Sequence, residues 1–312
     1  MTLLSYVGRR LIQLIPTLLI ILVVVFTLVH LLPGDPASAM LGDRALDSDV
    51  ARINRNLGLD RPLPVQFLYF VREVARGDLG NSIANKIPVV DLIAQRMPVT
   101  LLLTVMAACI SLILAVPLAF LAALCHNGAV DAAIRGVFQV GLSTPVFYLG
   151  LLLLTLFAAT FHLFPVGGYG DSFFDHVYHL FLPALTLALS LSAVLMRNLR
   201  AAIIGVLGAE YVDFARAKGL KARVILIRHV LRNALISTVT LFGLSIGTLL
   251  GGAVVTETVF AVPGAGRLMI DSIFGRDYPV VQGLTLVLAV LVSLTFLLTD
   301  IVQAALDPRI SR

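Results

Sequence analysis

The sequence predicts an all-α membrane protein with six transmembrane helices. The chain has 312 residues, of which 59% are hydrophobic and only 13% are charged, about half the charged share of an ordinary soluble domain. The mean hydropathy is +0.98. The apolar residues also cluster into six runs, most of them long enough to cross a hydrocarbon core about 30 Å thick. These properties exclude a typical soluble enzyme.

The apolar runs leave room for loops but for no separate soluble domain. The first run is too long for the apolar core of a secretory signal peptide, which spans about 7–15 residues, so we expect it to be retained as a helix. Pro117 and Pro145 lie inside the second and third runs, and we expect both to be tolerated because neighbouring helices can satisfy the carbonyl groups that proline frees. The runs cover about residues 11–32, 100–124, 137–161, 180–196, 235–255 and 280–301.

Basic residues between the runs predict the orientation of the helices. Residues 197–232 hold eight Lys or Arg residues against two acidic ones, and short loops rich in Lys and Arg stay on the cytoplasmic side. This placement puts both termini in the cytoplasm and residues 164–178, which contain no Lys or Arg, outside. The net charge of +5 therefore reports orientation, and we expect no nucleic-acid partner.

Three regions follow from these runs. Residues 1–32 form the N-terminal region and the first helix, residues 33–98 a periplasmic loop, and residues 99–312 a core of five helices that includes the cytoplasmic loop 197–232. Between residues 64 and 76 of the periplasmic loop, apolar residues recur at helical spacing, which predicts a short helix lying on the membrane surface. A solvated linker is the alternative.

The cytoplasmic loop carries the main candidate site. Residues 208–220 predict a short helix, and Gly219 predicts where it ends. Asp213 and Arg216 are three residues apart and can pair on the helix surface. Four residues share one helical face by their three- and four-residue spacing: Tyr211, Phe214, Ala215 and Lys218.

Two interpretations of this helix follow from its residues. A short exposed helix with aromatic side chains is suited to docking into a groove on another protein. An amphipathic segment held on lipid headgroups by the basic residues from Lys221 to Arg232 is the alternative, and the residues alone leave both open.

The loop resembles the coupling loop of permease subunits of ATP-binding-cassette importers, whose signature is Glu-Ala-Ala, three residues and Gly. Asp213, Phe214 and Ala215 occupy the first three places and Gly219 the last, whereas the downstream Ile-x-Leu-Pro end of the signature is not kept. The resemblance extends over nearly the whole chain. Eight segments, in order, resemble the first, or B-type, permease of the dipeptide, oligopeptide and nickel importers: residues 31–36, 57–62, 77–80, 215–219, 232–234, 262–267, 276–280 and 307–309.

The resemblance implies a type I importer permease fold in the bacterial cytoplasmic (inner) membrane, and a transport subunit that is not itself an enzyme. The implied partners are a second, similar permease, two cytoplasmic ATPases, an external substrate-binding protein and the lipid bilayer. The ATPases would bind ATP and Mg, since this chain has no Gly-x4-Gly-Lys-Ser/Thr run. The implied cargo is short peptides; nickel chelates, glutathione or another small peptide-like solute are alternatives.

The coupling residues follow from the same resemblance. Tyr211 and Phe214 are expected to be the anchors that become buried in the ATPases, and charged residues the polar contacts. The full set of expected coupling residues is Glu210, Tyr211, Asp213, Phe214, Ala215, Arg216, Lys218 and Gly219.

A glycine stripe marks the fifth apolar run. Gly243, Gly247 and Gly251 recur every four residues and therefore lie on one face, where another helix can approach closely. Contact with the second permease and packing within the subunit are both open.

Two other functional classes fit the sequence less well. A stand-alone secondary transporter usually shows inverted repeats and midplane charges, but the sequence shows no internal repeat and almost no central charges. An intramembrane enzyme would need a constellation such as His-Glu-x-x-His, which is absent from the sequence. His176 and His179 lie on the external side, but only nearby aspartates could complete a ligand set, so we expect no metal site. Glu257 and Asp300 lie near the ends of runs and are candidates to line the path; a position at the water boundary is the equal alternative for both.

Overall fold

The computed structural model describes residues 3–31 and 61–306. Within these ranges a three-residue helical turn (Ala222–Val224) and two π-helical stretches (Leu154–Thr160 and Ile225–Leu231) accompany ten longer α-helices. The family-like segments 31–36, 57–62 and 307–309 lie wholly or largely outside the described residues. The α-helices are α1 (Leu3–Leu31), α2 (Leu63–Ala75), α3 (Val89–Leu124), α4 (Ala129–Ser143), α5 (Val146–Leu153), α6 (Phe173–Leu207), α7 (Glu210–Ala217), α8 (Arg232–Val259), α9 (Ala265–Phe274) and α10 (Tyr278–Leu306).

Five of the described helices are long and apolar enough to cross a membrane, namely α1, α3, α6, α8 and α10. A sixth span results if α4 and the helix that begins with α5 are taken together, although the two are bent by 107°. The all-α class and the six apolar runs of the sequence are thus confirmed as five continuous helices and one bent pair. Helix α2 lies where the sequence predicts a short helix before the core.

The third predicted span does not continue through Pro145, and the sequence prediction is wrong at this point. Helix α4 ends at Ser143, and Thr144 has an extended backbone with φ −85° and ψ 127°. The proline ring clashes with a helical conformation of the preceding residue, which explains the break. Pro117, in contrast, lies inside the continuous helix α3, as expected.

The core of the bundle is the pair formed by α3 and α6, which make the most extensive helix–helix contact. Ala107, Ala115 and Ala119 of α3 and Ala184 and Ala188 of α6 are fully buried, and such small side chains let two helices approach closely. Helix α8 packs on α6 and α10, and α1 packs mainly on α10.

The loops and short helices divide between the two ends of the bundle. The α7 end carries residues 125–128 and 208–231, and the α9 end carries residues 61–88, 161–172 and 260–277. At the α7 end, Arg10 Nη1 lies 3.2 Å from Asp300 Oδ2, which joins the start of α1 to the last turns of α10. Which end faces the cytoplasm stays a prediction from the basic residues.

The glycine stripe of α8 packs partly within the subunit. A Cβ atom on Gly243 would overlap the side chain of Thr299, and one on Gly247 would lie 3.3 Å from Phe296 and Val292 of α10. A Cβ atom on Gly251 would meet nothing within 4 Å. Of the two interpretations, packing inside the subunit therefore holds for Gly243 and Gly247, and Gly251 remains available for contact with another chain.

We expect Gly243→Ala to lower the free energy of unfolding by about 1–3 kcal/mol, because the added methyl group forces α8 and α10 apart. Thermal unfolding of the purified chain in detergent, followed by far-UV circular dichroism, measures this loss. Gly251→Ala is the matched control on the same face and should melt like the wild type. Equal losses in the two variants would contradict the packing described here.

Candidate functional site

Helix α7 lies between the end of α6 and the π-helical stretch that leads into α8. Val212 is fully buried and Ala215 is 6% exposed. Both belong to the same apolar cluster as Ile225 and Val230 of the π-helical stretch, against which α7 packs. One side of α7 is therefore attached to the chain's own core.

The other side of α7 is open. Tyr211 is 44% exposed and Phe214 is 68% exposed. Ala215 does not share the exposed face with Tyr211 and Phe214 as its spacing predicts, because its side chain faces the core with Val212, three residues earlier. The remaining expected coupling residues are exposed, namely Glu210, Asp213, Arg216, Lys218 and Gly219.

The end of α7 is fixed by a backbone turn at Gly219. Gly219 has φ +75°, its N–H donates to the carbonyl oxygen of Arg216 at 2.9 Å, and the N–H of Leu220 donates to that of Ala215 at 3.3 Å. These two bonds form a Schellman motif, which needs a left-handed residue and therefore favours glycine. The predicted helix stop at Gly219 and the predicted pair between Asp213 and Arg216, at 3.0 Å, are both confirmed.

A hydrogen bond ties the exposed side of α7 to the start of α8. Asn233 Nδ2 donates to Tyr211 Oη at 3.1 Å and to the carbonyl oxygen of His229 at 2.7 Å. Asn233 belongs to the family-like segment 232–234, whose role the sequence alone does not show. This bond and the buried cluster therefore both connect α7 to the beginning of α8.

A buried carboxylate near the α7 end of the bundle joins α4 to α6. Asp131 is fully buried, and Arg200 donates to both of its oxygens at 2.6 Å in a two-pronged contact. Arg135 Nε lies 3.3 Å from the same carboxylate, and the N–H of Asn127 donates to it at 3.2 Å. Such bidentate arginine–carboxylate contacts fix both position and angle, so this group sets how α4 lies on α6.

A second buried carboxylate organises the α9 end. Glu257 of α8 is fully buried and accepts hydrogen bonds from Thr100 Oγ1 at 2.6 Å and from the N–H of Arg267 at 2.9 Å. The N–H of Gly266 also donates to this carboxylate, and the N–H of Ala265 donates to Thr100 Oγ1 at 2.8 Å. The first N–H groups of a helix lack partners within that helix, and here α3 and α8 supply them for α9.

The glycines of the family-like segment 262–267 make this contact possible. A Cβ atom on Gly264 would overlap the Glu257 carboxylate, and one on Gly266 would overlap the backbone of Val254. Glycine is needed at both positions because α9 approaches α8 closely. The sequence shows that the segment resembles the family, and the structure shows why it contains these two glycines.

A third carboxylate fixes the segment that precedes α3. Asp277 is 1% exposed and accepts hydrogen bonds from the hydroxyl group of Ser82, from the N–H of Ile83 at 3.0 Å and from the N–H of Ala84 at 3.2 Å. Asp277 lies in the family-like segment 276–280. That segment therefore anchors the loop before α3 to the start of α10.

The other ionisable candidates contact groups of their own chain. Glu257 is buried between α3, α8 and α9, and Asp300 is paired with Arg10. His176 stacks on Tyr169 at a centroid distance of 3.8 Å, and His179 Nδ1 lies 2.8 Å from the carbonyl oxygen of Asp175. Among residues 3–31 and 61–306, no group of three His, Cys, Asp or Glu side chains is placed to hold a metal ion.

Comparisons with known proteins agree with this architecture. The chain is 42% identical over 307 residues to the glutathione transport system permease protein GsiC of Pectobacterium atrosepticum, covering 98% of this chain and 99% of the relative. It is 37% identical over 334 aligned positions to the dipeptide transport system permease protein DppB of Escherichia coli K12, covering 98% of each.

The likeness to solved structures concerns the fold alone, since the sequence identities are low. A chain of the MetNI methionine ABC transporter in an inward-facing conformation matches with a TM-score of 0.58 and 17% identity, covering 69% of this chain and 96% of that one.

Two family profiles match the chain directly. Residues 3–104 match the N-terminal profile of the membrane components of binding-protein-dependent transport systems, and residues 115–312 match the profile described as the inner membrane component of these systems. Together with the full-length relatives, these matches show that the chain belongs to the family of binding-protein-dependent transport system inner membrane components.

Proposed function

We propose that this chain is the permease subunit of an ATP-binding-cassette importer whose cargo is short peptides, glutathione included. The observation that carries the proposal is the similarity over 98% of the chain to permeases named for glutathione and for dipeptide transport. Both cargoes are small peptides, so the two relatives point to the same chemical class of cargo.

The proposed assembly contains a second, similar permease, two cytoplasmic ATPases that bind ATP and Mg, and an external substrate-binding protein. The exposed side of α7 supports an ATPase contact, because a large apolar side chain, Phe214, is 68% exposed among the charged residues Glu210, Asp213 and Arg216. Aromatic anchors surrounded by polar residues are typical of the centre of a protein interface.

The mechanism we propose follows from how α7 is attached. When the ATPases close on ATP, they displace α7, and the displacement reaches α8 through Val212, Ala215 and the bond between Asn233 and Tyr211. It reaches α6 through the two-residue connection 208–209. Tilting of α6 and α8 as rigid elements then exchanges access between the two sides of the membrane.

The test is uptake and ATP hydrolysis by the complex that co-purifies with the tagged chain, reconstituted in liposomes with its binding protein. We expect hydrolysis to rise when that protein is loaded with a dipeptide or with glutathione. We expect Phe214→Ala to reduce uptake about tenfold or more, because loss of an interface anchor typically costs 2 kcal/mol or more.

The matched control is Leu68→Ala on α2, which removes a side chain with the same exposed fraction, 68%, at the opposite end of the bundle. Its uptake should equal that of the wild type. A chain that moves peptide in liposomes without any ATPase would refute the proposal, and so would wild-type uptake by Phe214→Ala. If the binding protein raises ATP hydrolysis when loaded with a nickel chelate but not when loaded with a dipeptide or glutathione, the peptide cargo is refuted and the importer assignment is not.

A further inference from the structure

A cleft of about 400 Å³ lies between α4 and α6 at the α7 end of the bundle. Its lining contains three arginines, Arg135, Arg197 and Arg200, together with apolar side chains that include Phe138 and Met196. A cleft lined by both basic and apolar side chains suits an amphipathic anion. The proposed transport function uses none of these residues.

The sequence places the cleft where apolar runs meet charged residues. Residues 180–196 of α6 contain no charged side chain and Arg197 follows them directly, whereas Arg135 of α4 precedes the uncharged residues 136–161. Both arginines therefore stand at the boundary of an apolar run, on two helices that pack on each other. From this boundary the lining of the cleft continues along α4 to Leu142 and along α6 to Ala193.

The positive charge of the cleft is in excess. Asp131 is engaged by Arg200 and Arg135 and neutralises one charge, so the three arginines leave a surplus of two. Arg197 is exposed, and within the described part of the chain no ion pair engages it. Guanidinium groups bind phosphate oxygens through paired hydrogen bonds, and basic pockets between transmembrane helices are sites for anionic lipid headgroups.

We propose that this cleft binds the phosphate headgroup of an anionic phospholipid, with Arg197 and Arg135 holding the phosphate and Phe138 and Met196 contacting the start of an acyl chain. The pair of Asp131 and Arg200 positions the site, because it fixes α4 on α6. The occupant is a lipid rather than a free anion because apolar side chains, namely Phe138, Leu142 and Met196, line the cleft together with the arginines.

The experiment uses the full chain, purified with its partner subunits and placed in nanodiscs of phosphatidylcholine with or without phosphatidylglycerol. Lipid mass spectrometry after detergent extraction measures the phosphatidylglycerol retained by the protein. We expect Arg135→Gln combined with Arg197→Gln to reduce this retention about tenfold or more, since each basic residue near the headgroups contributes to binding. Arg197→Gln alone should give part of the loss, and it breaks no ion pair that holds the fold.

Arg9→Gln is the matched control. Arg9 is an exposed arginine just before the first apolar run, but it lies on α1, which packs mainly on α10, so its loss should leave retention unchanged. If Arg9→Gln loses as much phosphatidylglycerol as the double variant, the attraction is general to the basic surface and the proposal is overturned. Wild-type retention by the double variant would also overturn it. If inorganic phosphate raises the melting temperature in phosphatidylcholine nanodiscs as much as phosphatidylglycerol does, the site takes a free anion and the lipid assignment is wrong.

Discussion

Glu257→Ala is expected to lower the free energy of unfolding by about 3 kcal/mol or more. The substitution removes the acceptor for the hydroxyl group of Thr100 and for the backbone N–H groups of Gly266 and Arg267. Each buried donor left without a partner costs about 1–3 kcal/mol. Water cannot readily replace the carboxylate, because Glu257 is fully buried.

The loss of stability should be greatest at α9. This helix has no side-chain cap of its own, so the start of the helix depends on Glu257 and Thr100 for its hydrogen bonds. Gly264 and Gly266, which make room for the carboxylate, would then border a cavity. We therefore expect α9 to loosen before the α3–α6 core unfolds, and amide hydrogen exchange at residues 265–274 should be faster in the variant.

Far-UV circular dichroism during heating measures the stability, which suits a chain without tryptophan. Glu257→Gln should lose less stability than Glu257→Ala, because its amide keeps one acceptor oxygen. Thr258→Ala is the neighbouring control: Thr258 is exposed, and its hydroxyl group donates to the carbonyl oxygen of Val254 in its own helix. A melting temperature of Glu257→Ala equal to that of Thr258→Ala would show that the carboxylate does not hold α9.

The apolar runs of the sequence predict the spanning helices well, because the bilayer requires long uncharged segments whatever the tertiary structure. The helix ends are predicted less well: α6 begins at Phe173 and ends at Leu207, well beyond the uncharged run 180–196. The bend at Pro145 follows from the local rule that the residue before proline avoids the helical region. Hydropathy alone does not distinguish it from Pro117, around which α3 continues.

The exposed coupling helix could be predicted from local signals, namely the spacing of its aromatic residues and the glycine at its end. The buried carboxylates could not. Glu257 meets Thr100 across 157 residues and Asp277 meets Ser82 across 195, and no periodicity connects positions so far apart. A sequence shows a carboxylate near the end of a run, but only the packing shows whether it faces a path or another helix.

Gly219→Val is expected to reduce peptide uptake about tenfold or more while the chain stays in the membrane. Gly219 has φ +75°, a conformation that costs a side chain of L-configuration about 1–2 kcal/mol and a β-branched one more. A Cβ atom there would meet nothing within 4 Å, so the effect arises from backbone strain rather than from a clash. The Schellman turn would open and change the direction in which α7 presents Phe214.

Gly219→Asn distinguishes backbone strain from the loss of the glycine itself. Asparagine tolerates the left-handed conformation better than other residues with a side chain, so this variant should keep the turn and most of the uptake. Uptake and ATP hydrolysis are measured on the same reconstituted complexes, with the amount of chain in the membrane fraction as the reference. If Gly219→Val and Gly219→Asn reduce uptake equally, the glycine contacts a partner directly. If Gly219→Val transports like the wild type, α7 does not need its turn to couple ATP hydrolysis to transport.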